Sequence, residues 1–143
     1  MFLVLTDLAL LTRRDLTIDS TTSILASGLQ GTWVTVSGTG NAFIPNQATK
    51  LAWPIFNESQ RDQTVGKWAP DVLNTSRVTI LAGKYFARTT VYTGSPLIGQ
   101  SLDVNSSGQL VAGATAPVAY CVKPPYAYTY LGNSVTAMDI YVF

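Results

Sequence analysis

Histidine is the usual general base near neutral pH and the commonest neutral metal ligand, and this chain of 143 residues has none. Its one cysteine, Cys121, leaves no thiolate set for zinc or an iron–sulfur cluster and no partner for an internal disulfide. Within "PVAYCVK" that thiol reads as a small apolar packing group. Carboxylates remain, and Glu58 with Asp62 lie close together in a charged stretch. A glycosidase pair needs one carboxyl held protonated by its surroundings. No such environment is legible here, so solvation is the plainer use. The stretch "DVNSSG", Asp103 to Gly108, matches only part of a calcium loop. The glycines of "SGTGNA", Ser37 to Ala42, lack the P-loop Lys-Ser/Thr and read as a hairpin turn, and no G-x-S-x-G occurs. Asn57, Asn74 and Asn105 each begin an Asn-x-Ser triplet, as chance provides in a Ser/Thr-rich chain without a secretory signal. The expectation is a protein with no catalytic residues, no cofactor and no metal.

The most distinctive residues are Tyr126, Tyr128 and Tyr130 in "KPPYAYTYLG". In an extended segment a period of two places all three phenols on one face. Tyrosine offers contact area at low entropic cost and a polar tip, so the face is either a contact surface for a protein or a sugar, or a partly buried strand with satisfied hydroxyls. The spacing fails the Pro-Pro-x-Tyr pattern of a WW-domain ligand.

The elements that must carry these residues are strands. Beyond the first thirty residues, period-two patterns bounded by Gly, Pro, Asn and Ser recur, which indicates an all-β fold. Candidate strands are 32–37, 50–56, 77–82, 84–92, 100–104, 108–112, 118–123 and 137–143. In "AMDIYVF" Met138, Ile140 and Val142 form an aliphatic inner face, and Asp139, Tyr141 and Phe143 a mixed outer one. Pro54 puts its strand at an edge or a bulge. "SLDV", a turn at "NSSG", "QLVA", a link "GATA" and "PVAYCV" read as a β-meander, with Asn105 and Gly108 supplying the turn chemistry. Trp33 and Trp53 are expected in the core. Trp68 lies in the charged segment Asn57 to Ser76, which reads as a long exposed loop.

Length fits one domain that folds without staples. Nine basic and eight acidic residues are scattered along it, so no basic footprint for nucleic acid arises. In "MFLVLTDLALLTRRDL" the basic pair follows the apolar run, unlike a signal peptide, and the run is too short to span a bilayer. It reads as an N-terminal arm, residues 1–25, before a β-rich domain, 26–143, divisible at 82/83. An exposed apolar run is a liability on a monomer. Phe2, Leu3, Leu5, Leu8, Leu10 and Leu11 are therefore expected, with Tyr126, Tyr128 and Tyr130, to contact other molecules.

The run "SPLIGQSLDVNSSGQLVAGATAPVAYCV" resembles the core of the head decoration proteins of tailed bacteriophages, capsid cement proteins of short-tailed marine phages included. "GTWVTVSGTGNAF", "LAWPIFNES" and "VTILAGKYFARTTVY" are similar to the upstream half of the longer cement proteins. Together these span Gly31 to Lys123, about two thirds of the chain; the arm and "KPPYAYTYLG" lie outside the pattern. The resemblance implies a small β-barrel or β-sandwich-like domain with a β-tulip-like C-terminal half. It also implies a cement role on the outer surface of an icosahedral head, made in the host cytoplasm. The implied partners are the major capsid protein and further copies of itself, as a trimer or dimer, with neither nucleic acid nor membrane. A tail-tube or head-fibre subunit and a carbohydrate-binding β-module are the alternatives.

Overall fold

Alternating β-branched, aromatic and polar residues suit a pleated, half-buried surface, and the chain realises that pattern as strands. The computed structural model describes residues 1–7, 11–17, 31–45, 47–56 and 77–143. Its regular elements are β1 (Phe2–Val4), β2 (Thr12–Thr17), β3 (Trp33–Val36), β4 (Ala42–Phe43), β5 (Trp53–Pro54) and β6 (Arg77–Ala82). They continue as β7 (Tyr85–Thr89), β8 (Ser101–Val104), β9 (Leu110–Ala112), β10 (Ala119–Tyr130) and β11 (Asn133–Val142). The fold is all-β, with no helix among the described residues.

Six strands form the main sheet in the order β1-β7-β11-β10-β8-β9, every neighbour antiparallel. The sheet curls into a half-barrel. The Leu110 N–H donates to the Val91 carbonyl at 3.1 Å and the Thr93 N–H to the Leu110 carbonyl at 2.8 Å, so β9 meets the segment that leaves β7. The concave side is filled by Met138, Ile140 and Val142 with Leu102, Val104, Leu110, Cys121 and Tyr85. The first three form the aliphatic face expected from "AMDIYVF", each contributing about 1.5–3 kcal/mol by full burial. The pairs β2-β6 and β4-β3-β5 pack around Leu16, Val34, Ala42, Ile55, Val78 and Ile80. Pro54 lies on the edge strand of its sheet, as its missing donor requires. Trp33 is fully buried in the larger core, whereas Trp53 is half-buried against the smaller cluster. Trp68 and the segment 57–76 lie outside the described residues.

Two expectations are corrected. The stretch 101–122 is not a meander, because β10 returns to pair with β8 and leaves β9 at the edge. The cause is Asp103. Its buried carboxylate accepts the backbone N–H groups of Thr115 at 3.1 Å and Ala116 at 3.2 Å, and the Gly113 N–H donates to the Ser101 carbonyl at 3.0 Å. The link is thus folded back across β8. A side chain at Gly113 would collide with that carboxylate, so only glycine fits. The turn itself is as expected, with Asn105 Oδ1 accepting from the backbone of Ser107 and Gln109 at 2.9 and 3.0 Å.

The second correction concerns the start of the chain. Phe2 to Val4 pair with Thr89 to Ala87, and Met1 and Phe2 are buried. Phe2 belongs to the core of its own chain, against Tyr85 in an edge-on ring contact.

Candidate interaction surface

Residues directly opposite in a ladder share a face. Phe86 on β7 lies opposite Tyr141 on β11, which lies opposite Tyr120 on β10. The Leu5 N–H donates to the Phe86 carbonyl at 2.8 Å, which brings Leu5 to the end of this row. Phe86 and Tyr141 rings are 5.1 Å apart and those of Tyr120 and Phe143 4.9 Å apart. These rings stand on the convex side of the sheet. Phe86 is 47% exposed, Tyr120 43% and Phe143 43%.

The next row on that side is polar. Arg88 lies opposite Asp139 and grips it through two bonds, Nε to Oδ1 at 2.7 Å and Nη2 to Oδ2 at 3.1 Å. The Tyr126 hydroxyl donates to the same Oδ1 at 3.0 Å. The guanidinium lies 4.4 Å from the Tyr128 ring centroid and 5.5 Å from that of Tyr126, and Lys123 Nζ lies 3.7 Å from the Tyr126 ring. Such cation–ring contacts contribute about 0.5–1 kcal/mol each at exposed sites. Burial pushes the Asp139 carboxyl up, but the hydrogen bonds of Arg88 and Tyr126 and the charges of Arg88 and Lys123 outweigh it and hold it below the usual range. Burial, then the hydrogen bond to Asp139, raises the Tyr126 phenol.

Past this row β10 and β11 leave the sheet. β8 pairs with β10 only at Ala119 and Tyr120, and β7 pairs with β11 only from Met138 to Val142. The two then pair with each other from Tyr126↔Ala137 to Tyr130↔Asn133, a ribbon about 15 Å long at ~3.4 Å per residue. Two-stranded ribbons are marginal alone in water; Arg88, stacked under Tyr126 and Tyr128, ties this one down. Pro124 and Pro125 sit where the register shifts between Lys123 and Tyr126, so neither must donate to a ladder. The ribbon ends in a two-residue turn, Leu131 at φ 49° and Gly132 at φ 81°. Asn-Gly is the usual choice when both residues have positive φ. Leucine in that conformation costs roughly 1–2 kcal/mol, and its side chain is 52% exposed.

Of the residues expected to make contacts, Tyr126, Tyr128 and Tyr130 lie half-buried on one face of β10, with Ala127 and Thr129 exposed on the other. Leu3 is half-buried, Leu5 exposed, Leu11 packed against the core, and Leu8 and Leu10 lie outside the described residues. Residue types alone passed over Arg88, Phe86, Tyr120, Asp139 and Leu131. For Phe86 and Arg88 the signal was present, since the alternation of "YFART" puts both on one face.

Both described carboxylates of the C-terminal half are committed to structure, Asp103 to backbone N–H groups and Asp139 to Arg88 and Tyr126. Cys121 is buried, and burial followed by the nearby Asp139 charge raises its thiol pKa. Glu58 and Asp62 lie outside the described residues. No helix among the described residues is long and apolar enough to cross a membrane. No family model matches the chain, and no curated protein matches its sequence.

Proposed function

We propose that this chain is a capsid decoration or cement protein of a tailed bacteriophage, which binds the outside of an icosahedral head and stabilises it by bridging capsomers. The observation that carries the reading is the convex sheet face with its ribbon: tyrosines, phenylalanines and an arginine held in fixed positions by ring contacts and hydrogen bonds. Tyr and Arg are the residues that dominate binding energy at protein interfaces. The ordered resemblance over Gly31 to Lys123 supports the same reading. A packed genome strains a shell from within, and a clamp needs only interface area, of over ~2,000 Å² in permanent assemblies. The partners are the major capsid protein and further copies of the chain, as a trimer at three-fold positions or a dimer across two capsomers.

A ligand that binds only the assembled state raises its stability by mass action. Added protein is expected to raise the disruption temperature of undecorated heads saturably, with chelator leaving the effect intact. Heads with the same heat resistance at saturating protein would remove this reading and favour a tail-tube or head-fibre subunit.

A further inference from the structure

We infer that Leu131 is a binding anchor, presented by the β10–β11 ribbon to a leucine-sized apolar pocket on the shell protein. Two independent features meet at this residue. Its backbone adopts a conformation that Asn or Gly would hold without strain, φ 49° beside Gly132 at φ 81°. Its side chain is exposed, so burial within its own chain does not offset that strain. Local strain at an exposed position is the mark of a residue kept for what it touches elsewhere.

The ribbon explains how it reaches. The Arg88 guanidinium, fixed by two bonds to Asp139, stacks on Tyr126 and Tyr128 and sets the direction in which the ribbon leaves the sheet. The tip therefore arrives pre-organised, and little ordering is lost on binding. An aliphatic side chain on a stiff lever fits an apolar pocket in a protein, since a glycan or a phosphate surface offers it no complementary chemistry. That the pocket belongs to the shell rests on the cement reading.

The test is Leu131→Asn, which makes the turn Asn-Gly. The isolated variant is expected to melt about 2–4 °C higher than the parent as the strain is relieved, yet to bind undecorated heads at least tenfold more weakly. Leu131→Met, which keeps the apolar volume, should bind within about threefold of the parent. A Leu131→Asn protein that binds heads as tightly as the parent overturns the anchor and leaves the cement reading standing. A lower melting temperature overturns the claim of strain. If the parent binds no heads, the cement reading fails, and the shell pocket with it. If the parent self-associates in solution and Leu131→Asn abolishes that association, the pocket lies on a second copy, and the shell as occupant is overturned.

Discussion

The strands β10 and β11 are one hairpin with two regimes. From Ala119 to Cys121, and from Met138 to Val142, alternate side chains are buried and both strands have outer neighbours. From Tyr126 to Tyr130, and from Asn133 to Thr136, no side chain is fully buried. The same backbone ladder thus serves stability at one end and display at the other, and the register shifts around Pro124 and Pro125 divide them. Residues at the buried end should decide whether the chain folds; residues at the displayed end should decide what it binds.

The sharpest test of that division compares Trp33, at 0% exposure in the larger core, with the three ribbon tyrosines. Trp33→Ala is expected to cost about 3–5 kcal/mol of folding stability. Replacing Tyr126, Tyr128 and Tyr130 together by Ser should cost less on folding than that single change while weakening head binding more. Denaturant titration and head-binding assays read the two effects. Equal folding losses would erase the boundary between the regimes.

The buried regime was largely legible in the sequence. Arg77–Ala82 matches its run residue for residue, and the faces of "AMDIYVF" follow from period two. The prolines hid the ribbon, since Pro-Pro ordinarily ends a strand, and only register shows that these two sit in an irregular step. The arrangement of β8, β9 and β10 was hidden too, because it depends on Asp103 reaching residues 12 and 13 further along the chain. The tyrosine face could be read from alternation alone. Its Arg88–Asp139 support could not, because 51 residues separate the pair and only the β7–β11 register brings them together.

A smaller effect, on pH, probes the buried regime at β1. The Met1 amine donates to Thr90 Oγ1 at 2.8 Å, and burial lowers its pKa from 8.0 to about 6. In a polypeptide beginning at Met1 with a free amine, the unfolded state takes up a proton between pH 8 and 6 that the folded state refuses. Stability should therefore fall as pH drops through that window, by up to about 2 kcal/mol. The chain has no histidine to obscure it, and Asp139, held below the usual carboxylate range, titrates far below. Denaturation midpoints at pH 6 and 8 measure the difference, which acetylation of the amine should abolish. A stability that rises as pH falls from 8 to 6 would show that the amine is not buried as a neutral group.

The smallest expected effect sets the two regimes apart by sign. Tyr85 is buried with its hydroxyl unpartnered, and burial raises its pKa far above the ordinary phenol value. Removing that oxygen relieves an unmet desolvation cost, partly cancelled by the small void it leaves, so Tyr85→Phe should stabilise the fold by up to about 1 kcal/mol. Tyr126 makes the opposite case. Its hydroxyl donates to Asp139 at 3.0 Å at the foot of the ribbon, and Tyr126→Phe deletes a hydrogen bond to a charged acceptor. The expected loss is about 1 kcal/mol, reduced by the partial exposure of the pair. The same one-atom deletion is thus expected to raise the denaturant midpoint in the core and lower it on the displayed face. Two downward shifts would mean that Tyr85 finds a partner in solution, and two upward shifts that the Asp139 contact adds nothing to the ribbon; the Tyr85→Phe, Tyr126→Phe double variant tests whether the shifts add. Additive shifts of opposite sign are the expected result, because the two hydroxyls share no partner.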